Sequence, residues 1–241
     1  MIKLYQFPIS HYCEKIRWAL DYKNIEYESV NLIPGLHIKQ TKKMGLRSSV
    51  PILQHGGKYI QGSINIIDYL DLTFPQSQLS SGSVVLKSEA LEWEKYLDKE
   101  VGVHVRRCIY HILLDHPAIV KPFFLKDGPW YGPLYLFLAY PKLVKVMREF
   151  MNINPESAAQ SRKALNLAVD KLDAHYKGNN FLAGEQFSRA DLSAAALLAP
   201  LTMEKQYGLD WPQQLPDDLR ELMDEFSPRL GWVSRIYSSY R

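Results

Sequence analysis

Cysteine is scarce in this chain: two occur in 241 residues, Cys13 and Cys108. Two widely spaced thiols exclude a disulfide framework and fit free-thiol chemistry in a reducing compartment. A dominant charge is missing too, since 29 basic residues stand against 26 acidic ones for a net charge of +3. With the basic side chains dispersed among acidic ones, nucleic acid is not expected as a partner. The densest basic cluster, Lys39, Lys42, Lys43 and Arg47, reads as a solvated helix face. Long apolar runs are also absent. The uncharged stretch from Gly128 to Pro141 is broken by three prolines and two glycines, and it falls short of the roughly 20 residues a spanning helix needs. It is expected to form an inter-helix loop and short helix that bury aromatics or cover a pocket, with no membrane role. The first residues carry a strand pattern rather than a basic-then-apolar leader, so a cytoplasmic location is expected. No metal-ligand cluster is expected.

What is present is enough apolar material, 46% of the residues, for two compact units. Residues 1–74 alternate strand and helix signals: a strand from Ile2 to about Phe7, a helix from Tyr12 to about Lys23, a strand from Tyr27 to Leu32, and a helical stretch near His37 to Met44. Two short strands follow, Ile52 to Gln54 and Lys58 to Ile60, joined by the hairpin signal Gly56-Gly57, then a helix from Ser63 to Thr73. The order is βαβαββα. Residues 75–83 form a Gln/Ser/Gly/Pro-rich connector. From 84 to 241 the pattern is helical throughout. Leu86, Ala90, Trp93, Leu97, Val101, Val105, Cys108 and Ile112 keep steps of three or four and predict one long amphipathic helix ending before Pro117. Cys108 lies on that buried stripe. The fold class is therefore α/β followed by all-α.

Four local patterns carry chemical information. Ser10 and Cys13 fall where the first strand gives way to a helix. Pro51 opens an apolar run where proline is tolerated at a strand's first residue, which leaves the Val50 N–H and C=O free for a ligand; a cis bond exposes them best, and sequence does not fix the isomer. Ser63 sits at the expected start of a helix, where its hydroxyl and the unpaired N–H groups make a carboxylate site or an ordinary N-cap. Ser188 and Asp191 predict a capping box, with Phe187 and Leu192 as its hydrophobic staple.

The ordered set of S-x-x-C before K-I-R-W-A-L, then S-V-P-I-L, then Q-G-S-I-N-I-I-D-Y-L, then F-L-A-G-E-Q-F-S-R-A-D-L resembles the cytosolic glutathione transferase family, in its serine- or cysteine-using, bacterial-like group. The resemblance implies a thioredoxin-like first domain (1–74), a linker (75–83) and an all-helical second domain (84–241), with glutathione as co-substrate. It implies that glutathione is conjugated to a small hydrophobic electrophile, a detoxification chemistry, by a homodimer.

For the site, the resemblance puts Ser10 on the thiolate, where a hydroxyl donor and a helix N-terminus stabilise the anion. Ser10 as a plain helix cap is the competing reading. Cys13, about three residues into the helix, supports a glutathione-dependent redox chemistry as the alternative, and a non-catalytic glutathione- or protein-binding module is a third reading. The glutathione backbone is expected at Val50 and Pro51, and its γ-glutamyl end at Gln61, Gly62 and Ser63. Gly62 departs from the acidic residue usual before that serine. The glycyl carboxylate is assigned to His37, with Lys39 in reserve. The electrophile is expected on Phe7, Pro8, Ile9 and Tyr12, walled by His104, Arg107 and Tyr110.

Overall fold

The computed structural model describes residues 1–80 and 82–241; Ser81, in the expected connector, lies outside them. Four strands, β1 (Ile2–Gln6), β2 (Tyr27–Asn31), β3 (Ile52–His55) and β4 (Lys58–Gln61), form one mixed sheet in the order β2-β1-β3-β4. β1 pairs with β2 in parallel and with β3 antiparallel, Leu4 facing Ser29 and Leu53. The β3–β4 hairpin turns on Gly56 and Gly57, both at positive φ, which side chains resist and glycine accepts. Helices α1 (His11–Tyr22), α2 (His37–Lys43) and α3 (Ser63–Thr73) complete this thioredoxin-like unit.

Among the described residues eight α-helices follow: α4 (Val84–Leu97), α5 (Val103–Leu113), α6 (Pro117–Leu125), α7 (Gly132–Phe150), α8 (Pro155–Gly178), α9 (Arg189–Thr202), α10 (Asp217–Phe226) and α11 (Gly231–Tyr240). α9 is the central one. Its Ala194, Ala195 and Ala196 are fully buried, and such small side chains let α1, α4 and α11 pack closely around it. Its start is held by the expected box: Ser188 Oγ accepts from the Ala190 N–H, and Asp191 accepts from the Ser188 N–H at 3.0 Å.

Two expectations are corrected. The long helix is not one α-helix: a π turn at Asp98–Gly102 separates α4 from α5, and its wider winding shifts the helical phase beyond it. The stretch from Gly128 to Pro141 forms no short helix burying aromatics. It begins the 19-residue α7, which continues through Pro141, with Trp130, Leu134, Phe137 and Leu138 exposed. Proline removes one backbone hydrogen bond there, but Leu136, Tyr140, Leu143 and Met147 recur at helical spacing and bury one face, which keeps the helix whole. Among the described residues no helix is long and apolar enough to cross a membrane.

A buried ionic knot ties the sheet unit to the helices. Lys15 of α1 meets Glu94 of α4 at 2.7 Å and Asp98 at 2.8 Å, and Arg189 of α9 meets the same Glu94 at 2.5 Å and also Asp68 of α3. Lys15, Glu94 and Arg189 have no exposed side-chain surface.

Candidate active site

The turn between β1 and α1 is fixed by its own backbone and by one arginine. The Ser10 N–H donates to the Phe7 carbonyl at 3.0 Å, and Arg17 donates to Gln6 Oε1, the Pro8 carbonyl and Glu14. Ser10 caps α1, its Oγ accepting from the Cys13 N–H at 3.3 Å. That contact uses an oxygen lone pair and leaves the hydroxyl hydrogen free to donate, so capping and a role toward an anion are compatible.

Cys13 does not fit the redox role. It has no solvent exposure, and burial pushes its thiol pKa up, against smaller opposing contributions from Ser10 and the Phe7 backbone. A reactive thiol needs the opposite on both counts. Cys108 is likewise buried, and burial raises it to about 11.

The next two residues reach across to the helical half. His11 donates from Nε2 to the Gly102 carbonyl at 3.0 Å, and Tyr12 donates to the Asp98 carbonyl at 2.7 Å. Both acceptors belong to the π turn, whose altered winding changes the usual helical pairing of its carbonyls. Burial, with the nearby Arg106 charge, lowers the His11 pKa to about 3, so the ring is neutral. Gly102 makes the approach possible: a Cβ there would lie 2.4 Å from the Tyr12 hydroxyl oxygen.

On the other side of Ser10 is the loop before β3. The Val50–Pro51 bond is cis, and among the described residues the Val50 N–H and C=O have no hydrogen-bond partner. The Pro51 carbonyl accepts from the Gly62 N–H at 3.0 Å, which sets the start of α3 beside this loop. Here the glutamyl-end expectations change. Gly62, at φ +92°, is the N-cap; Ser63 is the first helical residue, and its hydroxyl does not cap the helix. The Gln61 amide is committed elsewhere, donating to the Arg47 and Ser49 carbonyls at 2.8 and 2.7 Å. It braces the loop, and its Oε1 accepts from the Arg47 N–H at 3.3 Å. His37 is no cation. Its Nδ1 accepts from the Gly35 N–H at 3.1 Å, its ring packs edge-on to Phe7, and burial lowers its pKa. Lys39 is exposed and lines a separate groove with Glu28 and Asp127.

Ser10, Val50 and His37 open onto a cavity of about 300 Å³ between the sheet unit and the helices. Phe7, Ile9 and Tyr12 line it as expected, and Tyr110 faces them from α5. Pro8 does not; it is buried under the turn. His104 and Arg107 point the other way, into α8, where both bond to Ser161 Oγ. Val105, Arg106, Ile109 and Leu113 form the α5 wall in their stead. Ser48, Ser49 and Trp211 also line the cavity, and the sequence reading missed them. Ser49 opens the S-V-P-I-L motif and Ser48 precedes it, so both were within reach of local reasoning. Trp211 had no such signal.

The sequence matches the family model described as glutathione S-transferase, N-terminal domain, over residues 4–78, and that described as glutathione S-transferase, C-terminal domain, over residues 136–229. The chain belongs to the glutathione transferase family. The relatives agree. Glutathione S-transferase TCHQD of Arabidopsis thaliana is 27% identical over 225 residues, covering 86% of this chain and 80% of the relative. Protein LigF of a Sphingobium strain is 32% identical over 103 residues, covering 41% of this chain and 40% of its own length.

Among solved structures, the β-etherase LigF superposes with a TM-score of 0.66 at 22% identity, covering 98% of both chains. A glutathione S-transferase of Methylobacillus flagellatus, solved with GSH bound, superposes at 0.58 with 18% identity and 98% coverage of each. These superpositions establish a common fold. The transferase thus has the family's thioredoxin-like and helical halves, and glutathione is its co-substrate. Within it, Ser10 and the open Val50 backbone line one side of the cavity, and an apolar chamber stands on the other.

Proposed function

We propose that this glutathione transferase conjugates glutathione to a small, largely apolar electrophile, with the Ser10 hydroxyl donating a hydrogen bond to the thiolate. The observation that carries the reading is the placement of Ser10 at the N-terminus of α1, on the wall of the cavity that also takes the unpaired Val50 backbone. Val50 is the residue for the cysteinyl backbone of glutathione. The Ser63 hydroxyl and the first N–H groups of α3 suit the γ-glutamyl carboxylate. The electrophile occupies the chamber of Phe7, Ile9, Tyr12 and Tyr110. In the reaction the thiol proton passes to solvent, the thiolate sulfur forms a bond to the electrophilic carbon, and the displaced group leaves with its bonding pair.

The deciding experiment uses Ser10→Ala and Cys13→Ala side by side. Removing one hydrogen bond to a charged group is worth about 1.5–3 kcal/mol, so Ser10→Ala lowers turnover roughly ten- to hundredfold with little change in glutathione affinity, and raises the thiol pKa of bound glutathione. Cys13→Ala keeps most of the turnover. An unchanged thiol pKa in Ser10→Ala, or loss of activity in Cys13→Ala, rejects the assignment.

The same reading includes a division of the chain into 1–74, a connector at 75–83 and 84–241, a cytoplasmic and detoxifying role, and a two-fold homodimer. Two reduced, buried cysteines support the compartment. Exposed Leu72 at the end of α3 and exposed Val84 and Val85 at the start of α4 support the dimer, since these are the faces expected to meet across the axis. Light scattering at micromolar concentration checks it, and a mass of 27.9 kDa rejects it.

A further inference from the structure

We propose that the chamber selects an aromatic or otherwise apolar electrophile that carries a carboxylate or similar anionic group, held by Arg106; this rests on the conjugation reading and names the substrate class of that site. Among the described residues lining the cavity, Arg106 is the only one with a formal charge, and no Asp, Glu or Lys lines it. His11 and His37 on the same lining are held neutral by burial. The Arg106 guanidinium makes no hydrogen bond or ion pair to any described residue.

Its neighbours show that this is unusual in the region. Arg107 donates to the Met151 carbonyl and Ser161. Lys15 is paired with Glu94 and Asp98, and Lys99 with Glu100. The two nearest acidic residues in sequence before α5, Asp98 and Glu100, are therefore already engaged. The rings that feel the Arg106 charge, His11, Tyr12 and Tyr110, offer it no anion, and His11 and Tyr12 donate their own hydrogens elsewhere.

A half-buried guanidinium beside Val105, Ile109 and Leu113 is poorly screened, and its planar set of donors is matched by a carboxylate or sulfonate. The protein leaves that acceptor to the ligand. Because Tyr12 and Tyr110, which sense the Arg106 charge, share the chamber with Ser10, an anion anchored on Arg106 orients the apolar body of the same molecule across the thiolate position.

Two measurements test this. Fluorescence titration compares anilinonaphthalene sulfonate with the neutral phenylnaphthylamine, needing neither glutathione nor turnover. Arg106→Met is expected to weaken the sulfonate about tenfold or more, the scale of one lost charged hydrogen bond, while the neutral probe changes about twofold or less. Arg106→Lys recovers part of the loss, and Lys99→Met, which removes the same charge from an exposed side chain, changes neither. Equal weakening of both probes, or wild-type binding that ignores the sulfonate, overturns the proposal.

Steady-state kinetics on the wild type then compares a chloronitrobenzoate with its methyl ester, a comparison that survives even if Arg106→Met fails to fold. The acid is expected to have the lower KM, and Arg106→Met to raise that KM with kcat less affected. Equal KM for acid and ester, or a rise confined to the KM of glutathione, overturns the proposal. No turnover with either compound while the sulfonate preference persists rejects the conjugation reading and leaves the anion site standing.

Discussion

The two sides of the cavity are built on different principles. On the sheet side, Ser10, Val50 and Ser63 are set by backbone: a strand end, a proline bond and a helix start, each closed by hydrogen bonds to residues within about a dozen positions or on the adjacent strand. On the helical side, the wall is a choice of side chains on α5, α6 and α7, and the start of α5 is fixed by contacts from His11 and Tyr12, almost a hundred residues away. Backbone-built geometry tolerates few sequences and so leaves a motif. A side-chain wall tolerates many and leaves none. The difference matches the chemistry, since one side meets an invariant tripeptide and the other meets whatever electrophile is supplied.

The comparison is tested most severely where the sides join. Glu94→Ala removes the shared anion of the knot and leaves Lys15 with Asp98 alone and Arg189 with the half-exposed Asp68, so that each buried cation loses its fully buried partner, a loss of about 3–5 kcal/mol. Chemical denaturation is expected to show that loss as a lower midpoint of a single transition. A separate early unfolding of the helical half would mean that the knot, and not the rest of the packing, makes the two sides cooperative.

Protonation probes the same junction more gently. His11 has a folded pKa of about 3, against 6.5 for the free side chain. Between those values the unfolded chain binds a proton that the folded one refuses, so stability is full above about pH 6.5 and falls as the pH is lowered toward 3. The slope approaches about 1.4 kcal/mol per pH unit for one group. His11→Asn is expected to flatten that part of a stability profile, and an unchanged slope would show that the ring is not held as described.

Gly62→Asp is the smallest expected effect and sharpens the account of the sheet side. An added carboxylate near the glutamyl ammonium gains at most about 1 kcal/mol if partly exposed. Open space around a Cβ is available, but φ +92° strains any side chain, at a cost of order 1–3 kcal/mol. Calorimetry is expected to show glutathione affinity no better than wild type, with a lowered melting temperature. Tighter binding without destabilisation would mean the loop relaxes freely.

How far the sequence was legible follows the same line. The βαβαββα order, the Gly56-Gly57 turn and the Ser188–Asp191 box were readable because each rests on local spacing and turn chemistry. Ser10 and Val50 were readable as positions at element ends. Gln61 and His37 were chosen by residue type alone, while their partners, the 47–49 segment and Gly35, are revealed only once the loops are folded. His104 and Arg107 were misread for a longer-range reason. Neither lies on the stripe that runs from Leu86 to Ile112; the face α5 turns to the cavity is set by its packing on α8, where both reach Ser161, and by the π turn at Asp98–Gly102, where Tyr12 enters against Gly102. Nothing in residues 98–102 alone announces that visitor.

That junction has a consequence for how new specificities arise. His11 and Tyr12, the two residues after the proposed thiolate serine, each grip a carbonyl of the π turn, so the near wall of the chamber is pinned to the chemistry. α6 and α7 lie outside that pin. Residues such as Ile119, Val146 and Phe150 can therefore be exchanged to reshape the far end of the chamber while the geometry around Ser10 stays fixed. A laboratory search for altered substrate range belongs on that far wall, where a poor choice is expected to lose one substrate and not the enzyme.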